Sequence, residues 1–282
     1  MKKIIILAES GSDINTELAK KYDISIVPMH VSFGEDTTDD GSFPVEKIVE
    51  YYRETGKLPK TSGSTPSDFE ELLDALHAQY PQAHILYLAY SAVTTCSYQS
   101  CVIASEQRDY ITMIDTKQVS LGQGAIVMEV AKKLQENPDI TLDELVAYAK
   151  DRIAKAHMCF LPDNLEFLRA GGRVSNAAYM GAKILNLHPV IEILDGRLTA
   201  TKKYRGNMSR VASKMIKEYS ESYQLNKDCL WIIYTIGLSE EVKQAMKATA
   251  EELGYQSLVW VQANGVITTH GGPAAVGIAG FN

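Results

Sequence analysis

Ile4-Ile5-Ile6-Leu7-Ala8 is an unbroken apolar run. A strand without a polar side chain on either face has to be covered on both, which is the condition inside a parallel sheet flanked by helices. Ile85-Leu86-Tyr87-Leu88-Ala89-Tyr90 repeats the pattern, and residues 111–114 give a third strand. Helical stripes lie between and after them. Phe69, Leu72, Leu73 and Leu76 fall at i, i+3, i+4 and i+7, while Val127, Val130, Ala131 and Leu134 make another apolar face. Thr141 and Glu144 form a capping box ahead of Leu142, Leu145, Val146 and Ala149. Residues 24–33 read as one extended segment, and Val45, Ile48, Val49 and Tyr52 as a helix face. Strand and helix thus alternate, which predicts a parallel α/β domain over residues 1–156.

The pattern changes near residue 157. A short strand at 158–161 precedes a helical stretch, 165–170, that Gly171-Gly172 would stop. Residues 188–194, the pair Asp195-Gly196 and residues 197–204 spell a β-hairpin. Helices over 207–221 and 240–253 and strands over 230–234 and 257–261 follow. This predicts a second, mixed α+β domain over 157–282, packed closely on the first because no linker or low-complexity tract separates them. The overall expectation is an α/β fold, a parallel-sheet N-terminal domain packed against a mixed α+β domain.

Composition narrows the function. The net charge of −7 and the pI near 5.5 argue against nucleic acid and against an anionic membrane surface as partners. Cys96, Cys101, Cys159 and Cys229 show no C-x-x-C pair, as expected of reduced thiols in a cytoplasmic protein. No apolar stretch approaches the length of an integral membrane segment, and the first apolar run is too short for a signal peptide. The chain lacks a G-x-S-x-G elbow, a P-loop, a G-x-G-x-x-G after its first strand and any metal-ligand spacing among its six histidines. No cofactor or metal is therefore expected.

Hydroxyl-rich loops stand out instead. Lys60-Thr61-Ser62-Gly63-Ser64-Thr65-Pro66-Ser67-Asp68 runs into a helix with Thr65 as N-cap and Pro66 in its first turn. Ser91-Ala92-Val93-Thr94-Thr95-Cys96-Ser97 follows the second strand, and Ser10-Gly11-Ser12 the first. In parallel sheets ligands sit beyond the carboxyl ends of the strands, and such loops offer O–H and N–H donors to an anion. Ordinary capped loops are the alternative. His270, before Gly271-Gly272-Pro273, stands either at a ligand or in a plain turn. Gly171-Gly172-Arg173 is either a helix stop with a surface arginine or part of a site.

Taken in order, Thr61-Ser62…Pro66…Asp68-Phe69, Tyr98-Gln99-Ser100, Ile114-Asp115-Thr116, Gly171-Gly172-Arg173-Val174, Lys203 with Arg205-Gly206, and His270…Gly272-Pro273 resemble the DegV family over essentially the whole chain. The resemblance implies a fatty acid held between two domains and a role like that of the binding subunit of fatty acid kinase. Such a subunit is not itself an enzyme; it carries a long-chain fatty acid to an ATP-dependent kinase subunit, which phosphorylates the carboxylate to an acyl phosphate for phospholipid synthesis. On this reading Thr61, Ser62 and the loop carrying Ser91, Ala92, Thr94 and Thr95 are the carboxylate clamp, with Arg205 and His270 as polar neighbours. Arg173, Lys202 and Lys203 would serve partner docking. The chain departs from the usual pattern at Glu9, Gly63-Ser64, Ala92 and Ala274; at Ala92 a clamp hydroxyl is missing, and either Ser91, Thr94 or Thr95 substitutes or backbone N–H groups mainly hold the head group. A small-molecule enzyme with His270 as acid/base and a stand-alone lipid carrier or sensor are the other readings.

Overall fold

The computed structural model describes residues 3–173 and 187–282; Val174 of the motif above lies outside them. Strands β1 (Ile4–Glu9), β2 (Ile24–Val27), β6 (His84–Ala89) and β7 (Ile111–Asp115) form a parallel sheet in the order β2-β1-β6-β7. Every residue of β1 is buried, as its composition requires. Its side chains alternate between two cores. Ile5 and Leu7 meet Phe69 and Leu73 of α3 (Pro66–Gln79) and Cys101 and Ala104 of α4 (Ser97–Ala104). Ile4, Ile6 and Ala8 face α5 (Ser120–Glu136).

A second sheet has the order β10-β9-β8-β13-β11-β12 and is antiparallel except between β11 (Leu230–Tyr234) and β12 (Leu258–Gln262). Its other strands are β8 (Ala156–Leu161), β9 (Leu187–Leu194), β10 (Arg197–Arg205) and β13 (Val276–Phe281). Helices α8 (Met208–Ser222) and α9 (Glu240–Glu252) cover its outer face with Val211, Met215, Ile216 and Met246. Its inner face contributes Met158, Trp231, Ile233, Ala279 and Phe281 to the same core that α5 shares with β1. Helix α5 is therefore wedged between the two sheets, and Ser120 through Met128 are all buried.

A small antiparallel sheet, β4-β3-β5, comprises β3 (His30–Phe33), β4 (Asp36–Asp39) and β5 (Lys60–Ser62) and sets Thr61 opposite Val31. It divides the extended segment expected over 24–33. Pro28, with no N–H to donate, marks the break; the first half joins the parallel sheet and the second starts the small one.

Several local signals behave as the chemistry demands. Thr65 accepts from the Asp68 N–H, and the Asp68 carboxylate accepts in return from the Thr65 N–H at 2.6 Å. Thr141 and Glu144 close the same box on α6 (Leu142–Lys155). Asp195 and Gly196 both take positive φ, 47° and 79°, and turn the β9–β10 hairpin. The C-terminal stretch departs from expectation: α10 (Gly265–Gly271) and β13 replace a simple turn, and β13 lies in the middle of the second sheet.

Gly124 is where α5 touches the turn after β1, and a Cβ there would overlap the Ser12 carbonyl oxygen. A helical Gly→Ala exchange ordinarily stabilises by about 0.5–1 kcal/mol. Here the sign should reverse, with Gly124→Ala lowering the unfolding free energy in urea by about 1–3 kcal/mol through overpacking. A variant as stable as the parent would show that α5 is free to shift.

Candidate functional site

Between the sheets lies a cavity of about 290 Å³, close to the lower bound of about 300 Å³ usual for ligand pockets. Most of its wall is apolar: Met29, Val119, Met158, Phe160, Leu198 and Ile233 come from five strands and loops that meet only in the folded chain. Polar groups gather in one region. Thr61 Oγ1 lies 2.8 Å from His270 Nε2, and both line the cavity with Ser62 and Gly63. Thr94, Thr95 and Cys96 complete that region from the loop after β6. Gly63 is what allows the two loops to touch, since a Cβ on it would overlap Thr95 Oγ1 and approach Ser97 Oγ at 2.6 Å. Ser97 Oγ in turn accepts from the Ser64 N–H at 3.0 Å.

His270 is half-buried, but its Nδ1 is out of reach of water and has no hydrogen-bond partner among the described residues. Gly171, at the end of α7 (Glu166–Ala170), fills that side; a Cβ there would overlap Nδ1. Burial, reinforced by the Arg173 guanidinium, pushes the imidazole down to about 3, so it is neutral at physiological pH. An N–H trapped at Nδ1 would be an orphaned donor, which costs more than an under-used acceptor. The imidazole proton therefore belongs on Nε2, donating to Thr61 Oγ1. The Thr61 O–H is then left to donate elsewhere, and the cavity is beside it.

Arg173 also lines the cavity, its guanidinium donating to the Gly171 carbonyl. Below the polar region, Tyr90 is held through its backbone N–H, which donates to both oxygens of the buried Glu9 carboxyl at 3.1 and 3.0 Å. Tyr87 Oη and Gln123 Nε2 donate to the same carboxyl, whose ionisation burial pushes up.

Other expected site residues stand apart. Ser91 is fully buried and its Oγ donates to the Gly196 carbonyl at 2.8 Å, tying the hairpin turn to the loop instead of facing the cavity. Ala92 is exposed, and its N–H donates to Asp115. Of the three hydroxyls that could substitute for the one missing at Ala92, Thr94 and Thr95 line the cavity and Ser91 does not. Arg205 and Lys203 are exposed on β10 and are not among the lining residues; Lys202 pairs with Glu218 on α8 at 3.1 Å. Sequence reasoning overlooked Tyr90, Cys96 and Ser120 as lining residues, although the first two sit in or beside the flagged loop. The apolar lining carried no signal, because it reads as ordinary core. Among the described residues no three His, Cys, Asp or Glu side chains cluster as a metal ion would need, and no helix is long and apolar enough to cross a membrane.

The imidazole makes a testable contribution to stability. In the unfolded chain it protonates near pH 6.5, in the folded one only near 3. Between those values the unfolded state binds the extra proton, so stability rises with pH across the window and is lost on acidification. Urea midpoints of His270→Gln should fall less steeply than those of the parent between about pH 6 and 4. Parallel slopes would mean that the imidazole takes up protons in the folded state.

Comparison with known proteins agrees with this architecture. The sequence matches the DegV family of uncharacterised proteins over residues 3–282. It is 29% identical over 283 residues to a DegV domain-containing protein of Caldanaerobacter subterraneus, covering 99% of this chain and 98% of that one. It is 26% identical over 290 residues to a fatty acid-binding protein of Thermotoga maritima, covering 98% and 96%. A fatty-acid-binding DegV family protein from Thermus thermophilus superposes with a TM-score of 0.88 at 24% identity over 99% of both chains. A stearic acid-binding protein from Eubacterium ventriosum gives 0.82 at 23% identity over 100% of this chain and 98% of that one. With a family match over nearly every residue and the same two-sheet architecture, the chain belongs to the DegV family.

Proposed function

We propose that the protein is a cytoplasmic carrier of long-chain fatty acids that presents the carboxylate to an ATP-dependent kinase partner, without catalysing a reaction itself. The observation that carries this reading is the division of the cavity, apolar over most of its wall and rich in hydrogen-bond donors in one region. Each buried methylene contributes roughly 0.8 kcal/mol, so a chain of about sixteen carbons draws most of its affinity from the apolar part. A carboxylate entering the same cavity loses its water and has to find donors. The Thr61 hydroxyl, oriented by His270, and the Thr95 hydroxyl would provide them; the Thr94 hydroxyl donates to the Ser91 carbonyl at 2.9 Å. Relatives described as binding fatty acids, one of them stearic acid, support the same ligand class. The enzyme reading is weaker, because an imidazole held near 3 is a poor general base at neutral pH.

Mass spectrometry of the purified protein under native and denaturing conditions should find about one long-chain fatty acid per chain, lost on delipidation; nucleotides or sugar phosphates alone would sink the reading. Thr61→Val should keep the fold and weaken fatty-acid binding by about 1–3 kcal/mol, the cost of leaving a charged group short of a donor. Unchanged affinity would move the clamp to Thr95.

The kinase step belongs to the same proposal. Phosphoryl transfer needs cations around the transferring group. Arg173, which lines the cavity, and Lys203 and Arg205, exposed on β10, are the cations such a partner would use. Arg173→Ala should leave fatty-acid affinity nearly unchanged and cut acyl-phosphate formation in a reconstituted kinase assay. Loss of lipid in proportion to activity would assign Arg173 to the head group alone.

A further inference from the structure

Glu9, Asp13 and Asp40 are buried carboxyls, 0%, 0% and 6% exposed, and none lines the cavity. A carboxyl taken out of water has to be matched by donors. Those of Glu9 are local to the first sheet and α5. Asp13 and Asp40 each take one donor from the far end of the chain. Asp13 Oδ1 accepts from the Asn264 N–H at 2.8 Å, and Asp40 Oδ1 accepts from the Val266 N–H at 3.1 Å across 226 residues.

Asn264 and Val266 are the cap and second residue of α10, whose opening N–H groups have no partner within the helix. Asn264 has the extended backbone of an N-cap, but its side chain does not cap its own helix. It donates through Nδ2 to the Ser10 carbonyl at 3.1 Å. The cap is supplied from the N-terminal half instead. Asp13 is fixed in turn by Ser120 Oγ at 2.6 Å, and the Asp40 N–H donates to the Met29 carbonyl at 2.8 Å; both Ser120 and Met29 line the cavity. One turn beyond Val266, the same helix delivers His270 to Thr61. The position and rotation of α10 are thus set at one end by two carboxyls and read out at the other by the imidazole.

We infer that Asp40, with Asp13, is a positioning residue for the head-group clamp: it holds α10 so that His270 meets Thr61 and turns the threonine hydroxyl toward the ligand. This rests on the fatty-acid reading above for its ligand, but not for its first test. In the ligand-free protein, Asp40→Ala should shift the His270 Nε2 resonance in long-range nitrogen–proton spectra, while Asp40→Asn, which keeps an acceptor for the Val266 N–H, should restore it. With palmitate as probe, Asp40→Ala should weaken binding about tenfold, the loss expected of one displaced hydrogen bond, and Asp40→Asn should recover most of it. In a His270→Ala background the Asp40→Ala change should add less than about twofold, because coupled residues are not additive. A lower melting temperature with an unmoved His270 resonance would reduce Asp40 to a structural residue and overturn the inference. So would an undiminished effect in the double variant. If the parent binds no palmitate, the fatty-acid reading fails while the spectral test still decides the positioning role. Should Asp40→Ala not fold, Asp40→Ser, with a shorter acceptor, enters the same cycle and is judged by the same outcomes.

Discussion

The burial of α5 on both sides is the constraint from which the rest of the structure follows. A helix with Ser120 through Met128 out of solvent cannot rest on one sheet; it needs a second to cover its other face. The parallel sheet supplies Ile4, Ile6 and Ala8, and the antiparallel sheet supplies Met158, Trp231, Ile233 and Phe281. The two halves of the chain therefore share one core, and separating them would expose α5 to water. A cavity formed at the ends of that core inherits walls from both halves.

Where the cavity opens is decided by topology. In the order β2-β1-β6-β7, the chain leaves β1 toward β2 on one side and returns to β6 on the other. The loops after β1 and β6 diverge there, leaving a crevice beyond the carboxyl ends, the place where such sheets take ligands. The loop after β6 brings Thr94, Thr95 and Cys96 to it. The loop after β1 is not part of the lining. Its short turn, Ser10–Ser12, is buried and serves instead as an anchor for the C-terminal half through Ser10 and Asp13.

Much of this was legible in the sequence, and the failures have physical causes. Continuous apolar runs located β1 and β6 because burial on both faces leaves no room for polar residues. Capping boxes and the Asp195-Gly196 turn are local chemistry, readable within a few residues. Strand β13 escaped notice: Val276-Gly277-Ile278-Ala279-Gly280-Phe281 carries two glycines, which argue against a strand on propensity. Tertiary packing overrides that, because Gly277 lies against β8 where a side chain would approach Cys159 O at 2.8 Å. The hydroxyl loop was found, but not which hydroxyls face inward. That choice depends on the Gly196 carbonyl, 105 residues from Ser91, which draws the Ser91 hydroxyl away. Arg205 was grouped with the site by motif, and the register of β10 leaves it exposed at the sheet edge. Asp13 and Asp40 gave no signal at all, since the α10 N–H groups they hold lie more than 200 residues away.

On the proposed fatty-acid reading, the polar region of the cavity would hold a carboxylate firmly and leave it open to reaction. A carboxylate buried against several fixed cations would be bound chiefly by charge, and its oxygens would be drawn away from an incoming electrophile. Here the histidine is neutral, kept so by its burial and by Arg173 beside it. Hydroxyls dominate the polar region, and among the described lining residues Arg173 is the one cation. Hydrogen bonds from neutral donors are roughly half as strong as charge-assisted ones. They can still fix the orientation of a carboxylate while leaving much of its negative charge on the oxygens. On that reading affinity has to come from elsewhere, and the apolar wall would be its source, through contacts that do not touch the head group. Under the proposed function, separating the two tasks in space would let the polar region serve phosphoryl transfer without loosening the grip on the acyl chain.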